Sequence, residues 1–245
     1  MTGSKNDEIR PDTVGPVHEG AEVSTTDEGG LLYRQPGMFL GYFKDPVKTA
    51  EALKDGWFHS GDNASVREDG QMVFKDRLND LILLAGGGTL APQLVESRLR
   101  FSPYIKDAWV LAGPEKGYAS AIIVIHYHHV GRWAGQRKVA YSNFAELSQK
   151  PEVCELVKQS IARINETLPP GSRVKKYVNL HKEFDADEGD LTRTKKLKRG
   201  FLEGRYREII DALYGGQTEV PVEVPVKSRD GRTGTVRTIL RIQDT

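Results

Sequence analysis

The chain has 245 residues, a net charge of +1, 38% hydrophobic and 28% charged residues, and a single cysteine, Cys154. The length allows roughly one to two domains, and the composition is that of a folded, loop-rich protein, which excludes a disordered tail, a collagen or a coiled coil. One cysteine excludes an intrachain disulfide framework and a cysteine-rich zinc site, no apolar run approaches the ~20 residues that span a bilayer, and a charge near zero gives no global field for nucleic acid or acidic lipid.

Residues 1–20 are polar, with Gly and Pro, and read as loop; their acidic start is no signal peptide, so the expected location is cytoplasmic. From Ala21 to Asp76 turns recur (Asp27-Glu28-Gly29-Gly30, Gln35-Pro36-Gly37, Lys54-Asp55-Gly56, Glu68-Asp69-Gly70) around short strand-like runs at 30–34 and 71–75, which predicts a small antiparallel β-unit. Between them, 45–53 predicts a helix, with Asp45 as N-cap and Pro46 at its first position. Residues 80–84 predict a short strand running into Gly86-Gly87-Gly88, and 92–100 a helix with Leu94, Val95 and Leu99 on one side. Residues 108–112 and 119–127 read as strands. Residues 151–168 form an amphipathic helix on Val153, Leu156, Val157, Ile161, Ile164 and Leu168. A strand at 174–180 and one helix at 201–214 complete a strand–helix alternation, so an α/β domain is expected from 80 to 214. In 215–245, Val220, Val222, Val224 and Val226 alternate with Pro221 and Pro225 between them. That pattern fits an edge strand, and a turn at 229–232 followed by a strand at 235–242 predicts a hairpin.

Five motifs can carry chemistry. In Asp55-Gly56-Trp57-Phe58-His59-Ser60-Gly61-Asp62, the last carboxylate sits at a Ser-Gly turn, free to accept two vicinal hydroxyls; the plain alternative is a turn aspartate. Arg77, in Lys75-Asp76-Arg77-Leu78-Asn79-Asp80, is a planar donor for a nucleotide or a member of a surface ion pair, at a change of character that fits an interdomain linker. The Gly86–Gly88 loop opens toward a helix and offers N–H groups to an anion, or is a flexible turn; its spacing is neither a Walker loop nor a dinucleotide fingerprint. The basic stretch 191–199 puts lysines where they meet a phosphate or a developing oxyanion, or forms a solvated face or nucleic-acid patch. His126 and His128 fall on one face of an expected strand but lack a third metal ligand, and Cys154 reads as a core thiol.

The order of these motifs resembles the C-terminal part of the adenylate-forming (AMP-binding) superfamily: acyl-CoA synthetases, peptide-synthetase adenylation domains and firefly luciferase. The resemblance runs through Leu40-Gly41-Tyr42-Phe43-Lys44-Asp45-Pro46, the Trp57–Asp62 run, Asp69-Gly70, Asp76–Ile82, the glycine loop ending in Ala91-Pro92, and Leu191-Thr192-Arg193-Thr194-Lys195-Lys196, whose form is most similar to bacterial long-chain fatty-acyl-CoA synthetases. It implies an α/β (α+β) fold divided into a β-rich end of a large domain (1–76), a hinge (77–80), a small α/β lid domain (81–214) and an extension (215–245). It further implies an acid–thiol ligase using a fatty acid, ATP with Mg2+, and CoA. In that scheme Asp62 holds the ribose hydroxyls and Arg77 also contacts the nucleotide. Lys196 bridges carboxylate and α-phosphate, Asn79 is the hinge on which the small domain rotates, and Gly86, Gly87 and Gly88 border the CoA tunnel; no protein residue is assigned to a metal. Ser60 stands where Thr is usual, Asn79 where Asp or Lys is common, and Gly88-Thr89 where Glu-Asn is common. The family's Ser/Thr/Gly-rich phosphate loop and its aromatic-Gly-x-Thr-Glu segment have no match here. The expectation is therefore a truncated synthetase, inactive alone, whose residues 1–76 expose normally buried apolar surface. The alternatives are a fragment of another adenylate-forming ligase, a non-catalytic module pairing with a separate N-terminal half, or a nucleic-acid binder through 193–199, which the balanced charge disfavours.

Overall fold

In a computed structural model, residue 10, residues 13–227 and residues 233–245 are described; the expected turn at 229–232 lies outside them. The chain divides into two compact units, up to Leu81 and from Ile82 onward.

The first unit is a five-stranded sheet. Its elements are β1 (Glu22–Thr25), β2 (Gly30–Arg34), helix α1 (Pro46–Ala52), β3 (Leu53–Lys54), β4 (Trp57–Val66) and β5 (Met72–Arg77). β4 is the organising strand: β2 lies along one edge, and β3 then β5 along the other, all antiparallel. α1 starts as its sequence dictates, with Asp45 accepting from the Lys48 N–H at 2.9 Å and Pro46 in the first turn. The unit's core is small, Leu31, Ala64 and Met72 with Val17 and Val23 against them. By contrast Leu40 is fully exposed, and Phe39, Tyr42, Phe43 and Val47 are exposed beside it.

The second unit contains β6 (Ile82–Leu83), β7 (Thr89–Leu90), α2 (Pro92–Leu99), β8 (Ile105–Leu111), β9 (Ala119–Ile125), α3 (Tyr127–Gln136), α4 (Phe144–Ser148), α5 (Pro151–Glu166), β10 (Val174–Asn179), α6 (Arg199–Arg205), α7 (Arg207–Tyr214), β11 (Glu219–Lys227) and β12 (Thr233–Asp244). Its main sheet runs β11-β12-β10-β9-β8, with β9 and β10 parallel and the other pairs antiparallel. The parallel pair needs a long crossover, which α3 to α5 supply. β9 is buried on both faces, and its period-two alternation feeds two cores. Ala121, Ile123 and Ile125 meet α2, α3 and α5 through Val95, Leu99, Val130 and Val157. Ile122 and Val124 meet α6 and α7 through Leu202, Ile209 and Leu213. Each fully buried aliphatic side chain contributes about 1.5–3 kcal/mol, so this sheet is where the unit's stability is concentrated. Cys154 is a core thiol as expected: burial pushes it up to about 11, and it accepts from the Asn179 amide at 3.7 Å.

Four local elements differ from what the sequence predicts. The expected strand at 119–127 ends at Ile125 and Tyr127 already opens α3, so His126 precedes that helix and stacks on His129 with ring centroids 3.9 Å apart; His126 and His128 share no strand face. A β-carbon at Gly131 would lie 2.6 Å from the Tyr141 hydroxyl, so a larger residue there would have to displace that ring. The expected helix at 201–214 breaks at Tyr206 (φ −107°, ψ 24°), where Arg205 is drawn to Asp190 and Tyr206 is buried. The expected strand at 80–84 shrinks to Ile82–Leu83 behind a 3-10 turn at Leu78–Asp80. The glycine loop does not run into a helix: it closes the β6–β7 hairpin, and α2 begins only at Pro92.

His181, at the end of the segment after β10, is buried and pushed down to about 4, first by desolvation and then by repulsion from Lys182 and Arg205. An unfolded histidine takes up its proton below about 6.5, while the folded one stays neutral until about pH 4. Stability is therefore complete above pH 6.5 and falls by about 3 kcal/mol as pH drops through that window. Urea unfolding at pH 7 and pH 4.5 should show this loss in the wild type and a smaller one in His181→Asn.

Candidate functional site

Asp62 lies inside β4 rather than in a free turn, but at a bulge. Leu32 faces His59 and Gly30 faces Asn63, so three residues of β4, Ser60, Gly61 and Asp62, oppose Leu31 alone. Gly61 absorbs the excess at φ 72°, a left-handed conformation that favours glycine, and such a bulge re-aims the next side chain. The Ser60 hydroxyl fastens the turn, donating to the Leu31 carbonyl at 2.9 Å and accepting from the Asp62 N–H at 3.1 Å. A Thr in this position would carry the same hydroxyl.

Arg77 is the cross-strand partner of Asp62. Its Nη1 lies 2.8 Å from Asp62 Oδ1 but donates its aligned N–H to the Ser60 carbonyl at 3.3 Å. Asp62 Oδ1 is thus held close to a positive charge yet takes no aligned hydrogen bond from any described residue. That oxygen is sealed from solvent against the guanidinium, while the carboxylate as a whole is 23% exposed. Next to it the Asn63 amide ties β4 to the Glu28 and Gly29 carbonyls at 3.2 and 3.1 Å, fixing the bulge from the other side. Asn79 is exposed in the 3-10 turn that follows Arg77.

The other predicted residues belong to the second unit. Gly87 and Gly88 have φ of 78° and 80°, and the loop is closed by the Gly87 and Leu84 amides donating to the Leu84 and Gly88 carbonyls. Lys196 sits on a second hairpin, exposed to solvent. Leu191 bridges Leu197, the Thr192 and Lys195 amides donate to the carbonyls of Lys196 and Thr192, and the Lys196 N–H reaches the Thr192 hydroxyl at 3.0 Å. The Leu-Thr-x-Thr-x-Lys spacing is therefore the spacing of a turn that closes on its own threonine.

What the sequence did not disclose is the base of that hairpin. Asp190 is fully buried, accepts from Arg205 Nη1 at 2.9 Å, and accepts the Asp185 N–H at 3.1 Å. Arg199 makes a two-pronged pair with Glu96 of α2, both N–H···O distances 2.8 Å. Glu96 also accepts the Val110 N–H of β8, the edge strand of the sheet. Burial pushes the Glu96 carboxyl above its ordinary value against the pull of Arg199 and that amide. Two buried carboxylates thus grip the arginines on the C-terminal side of the hairpin, and the lysine turn rides on a rigid base. The available signals were faint: an acid on the inward face of a helix, and an acid directly before the Leu-Thr run.

The model of the AMP-binding enzyme C-terminal domain family matches residues 79–218, more than half of the chain. The chain belongs to that family. Among its relatives, the long-chain-fatty-acid–CoA ligase FadD15 of Mycobacterium tuberculosis is 31% identical over 86% of this chain and 35% of its own length. The human long-chain-fatty-acid–CoA ligase 1 is 34% identical over 81% of this chain and 29% of its own. This member of the family thus spans about a third of the length of the curated relatives it matches. Solved structures with the same fold include the adenylation domain of a Mycobacterium chelonae carboxylate reductase (TM-score 0.59, 22% identity, 82% of this chain and 31% of that one). Another is the anthranilate CoA ligase AuaEII in complex with anthranoyl-AMP (TM-score 0.57, 21% identity, 84% and 36%). The α/β fold is that of the adenylate-forming superfamily. No helix among the described residues is long and apolar enough to cross a membrane.

Proposed function

We propose that this chain is the nucleotide-holding strand, hinge and lysine-bearing unit of an ATP-dependent fatty-acyl-CoA ligase. The observation that carries the reading is Asp62, set on a bulge beside Arg77 with its carboxylate partly exposed, 23% of the side chain. In this reading Asp62 accepts the two ribose hydroxyls of ATP and Arg77 supports the same nucleotide. A fatty-acid carboxylate oxygen attacks the α-phosphorus; the bond to the bridging oxygen breaks and pyrophosphate leaves with the electron pair. Negative charge gathers between the incoming carboxylate and the α-phosphate, and the Lys196 ammonium, a compact point charge, stabilises it there. The CoA sulfur then attacks the acyl carbonyl carbon, the acyl–phosphate C–O bond breaks, AMP leaves, and the thiol proton is released. Asn79 is the hinge that exchanges Lys196 for the Gly86–Gly88 loop between the steps, one site serving two reactions by domain motion. Mg2+ enters with the nucleotide. Among the described residues no group of three or more His, Cys, Asp or Glu gathers to hold a metal.

The remaining two-thirds of the enzyme would supply the phosphate loop and the acyl pocket. The test therefore uses a fusion that places the first two-thirds of the FadD15 relative ahead of this chain. Removing a charged acceptor of two hydroxyls forfeits about 1.5–3 kcal/mol. Asp62→Ala should accordingly raise the KM for ATP in pyrophosphate exchange roughly 10- to 100-fold. An unchanged KM in the folded variant would remove Asp62 from nucleotide binding.

A further inference from the structure

We propose that the cavity walled by the C-terminal hairpin binds a small amphipathic anion, a single carboxylate or phosphate head on an apolar body. This proposal stands apart from the ligase reading: none of Asp62, Arg77 or Lys196 lines the cavity. It measures about 830 Å3, within the roughly 300–1,000 Å3 of small-molecule sites. Three segments build it: the stretch from His181 to Glu188, the junction of α6 and α7, and the β11–β12 hairpin through Pro221, Val222, Glu223 and Arg237. The family match ends at residue 218, so the hairpin wall lies beyond the shared domain.

The chemistry of the wall selects the ligand. Ile209, Val222 and Pro221 give it an apolar side. His181 and Tyr206 are both more than nine-tenths buried, and His181 Nδ1 and Tyr206 Oη have no hydrogen-bond partner among the described residues. Both atoms are sealed from solvent behind this apolar side, so the ligand's polar head must be met by the charged groups of the lining. The lining carries four cations, Lys182, Arg205, Arg207 and Arg237, against three carboxylates, Glu188, Glu208 and Glu223. Lys182 and Arg205 are already committed, both to Glu188 and Arg205 also to Asp190. Arg207 and Arg237 are not: each is largely exposed and reaches only a distant acid, Asp211 at 3.9 Å and Glu223 at 3.8 Å. Two loosely held guanidiniums are suited to close on one anionic head, because a planar fork binds a carboxylate or phosphate better at contact distance than across such gaps. The apolar body of the ligand would lie along Val222 and Ile209.

The test is a methyl-detected NMR titration of the chain itself, reading Ile209 and Val222, with octanoate, octyl phosphate and inorganic phosphate as probes. Saturable shifts with octanoate or octyl phosphate, and binding of inorganic phosphate at least tenfold weaker, are expected; the first two arms tell a carboxylate site from a phosphate site. The Arg207→Gln/Arg237→Gln double variant, both positions being exposed, should keep its urea midpoint and bind at least tenfold more weakly. No saturable shift with either amphiphile, or a folded double variant that binds as the wild type does, would overturn the proposal.

Discussion

Replacing Glu96 by alanine is expected to destabilise the second unit by about 3 kcal/mol, the low end of what breaking a buried ion pair costs. Glu96 is 5% exposed, and its carboxylate meets three donors: both prongs of Arg199 and the Val110 N–H. Alanine removes both prongs of the Arg199 pair and the acceptor of the edge-strand Val110 amide together. Glutamine is the informative control, since its carbonyl can still accept from Val110 or Arg199; it should cost about 1 kcal/mol. For a unit of this size, 3 kcal/mol corresponds to a fall in Tm of roughly 6–12 °C. Calorimetry on both variants checks it. Equal losses for alanine and glutamine would mean that volume rather than pairing holds the site, and a loss well under 1 kcal/mol for alanine would mean that the pair does not hold α6 at all.

Lys196→Ala is expected to act in the opposite manner, on chemistry and not on stability. Its side chain is exposed where the Thr192–Lys196 turn closes, and the turn's hydrogen bonds use the Lys196 backbone and the Thr192 hydroxyl. The fold of the hairpin should survive unchanged. Pyrophosphate exchange by the fusion should fall about 10²- to 10³-fold, the size of losing one charge stabiliser of a transition state. Thioester formation from preformed acyl-adenylate should remain near the wild-type rate, because in the proposed cycle Lys196 has left the site by then. A loss of both half-reactions would count against the alternation of Lys196 and the Gly86–Gly88 loop.

Sequence patterns made much of this fold legible, and the reasons for the exceptions are physical. The alternation in Ala119–Ile125 and the three-and-four spacing of Val153, Leu156, Val157 and Ile161 each record burial on a definite face, and both elements formed where expected. The helix at Tyr127–Gln136 was hidden because Gly131 and Gly135 weaken helix propensity and the preceding strand's apolar run continues up to His126; packing of Val130 and Ala134 against the core overrides both. The break at Tyr206 was hidden for the reverse reason, since the apolar period of 202–213 passes through it unaltered. At the candidate site the residue types were readable but their arrangement was not. Asp62 and Arg77 are near in sequence, and antiparallel strands bring them together. Glu96 and Arg199 are separated by 103 positions, and only the folded sheet joins them.

Fatty-acyl adenylation is read by fatty-acid-dependent ATP–pyrophosphate exchange in the fusion. Exchange with long-chain fatty acids that depends on Lys196 is expected. A folded fusion that exchanges with an aromatic acid such as anthranilate but with no fatty acid, or whose exchange is undiminished in Lys196→Ala, would contradict it.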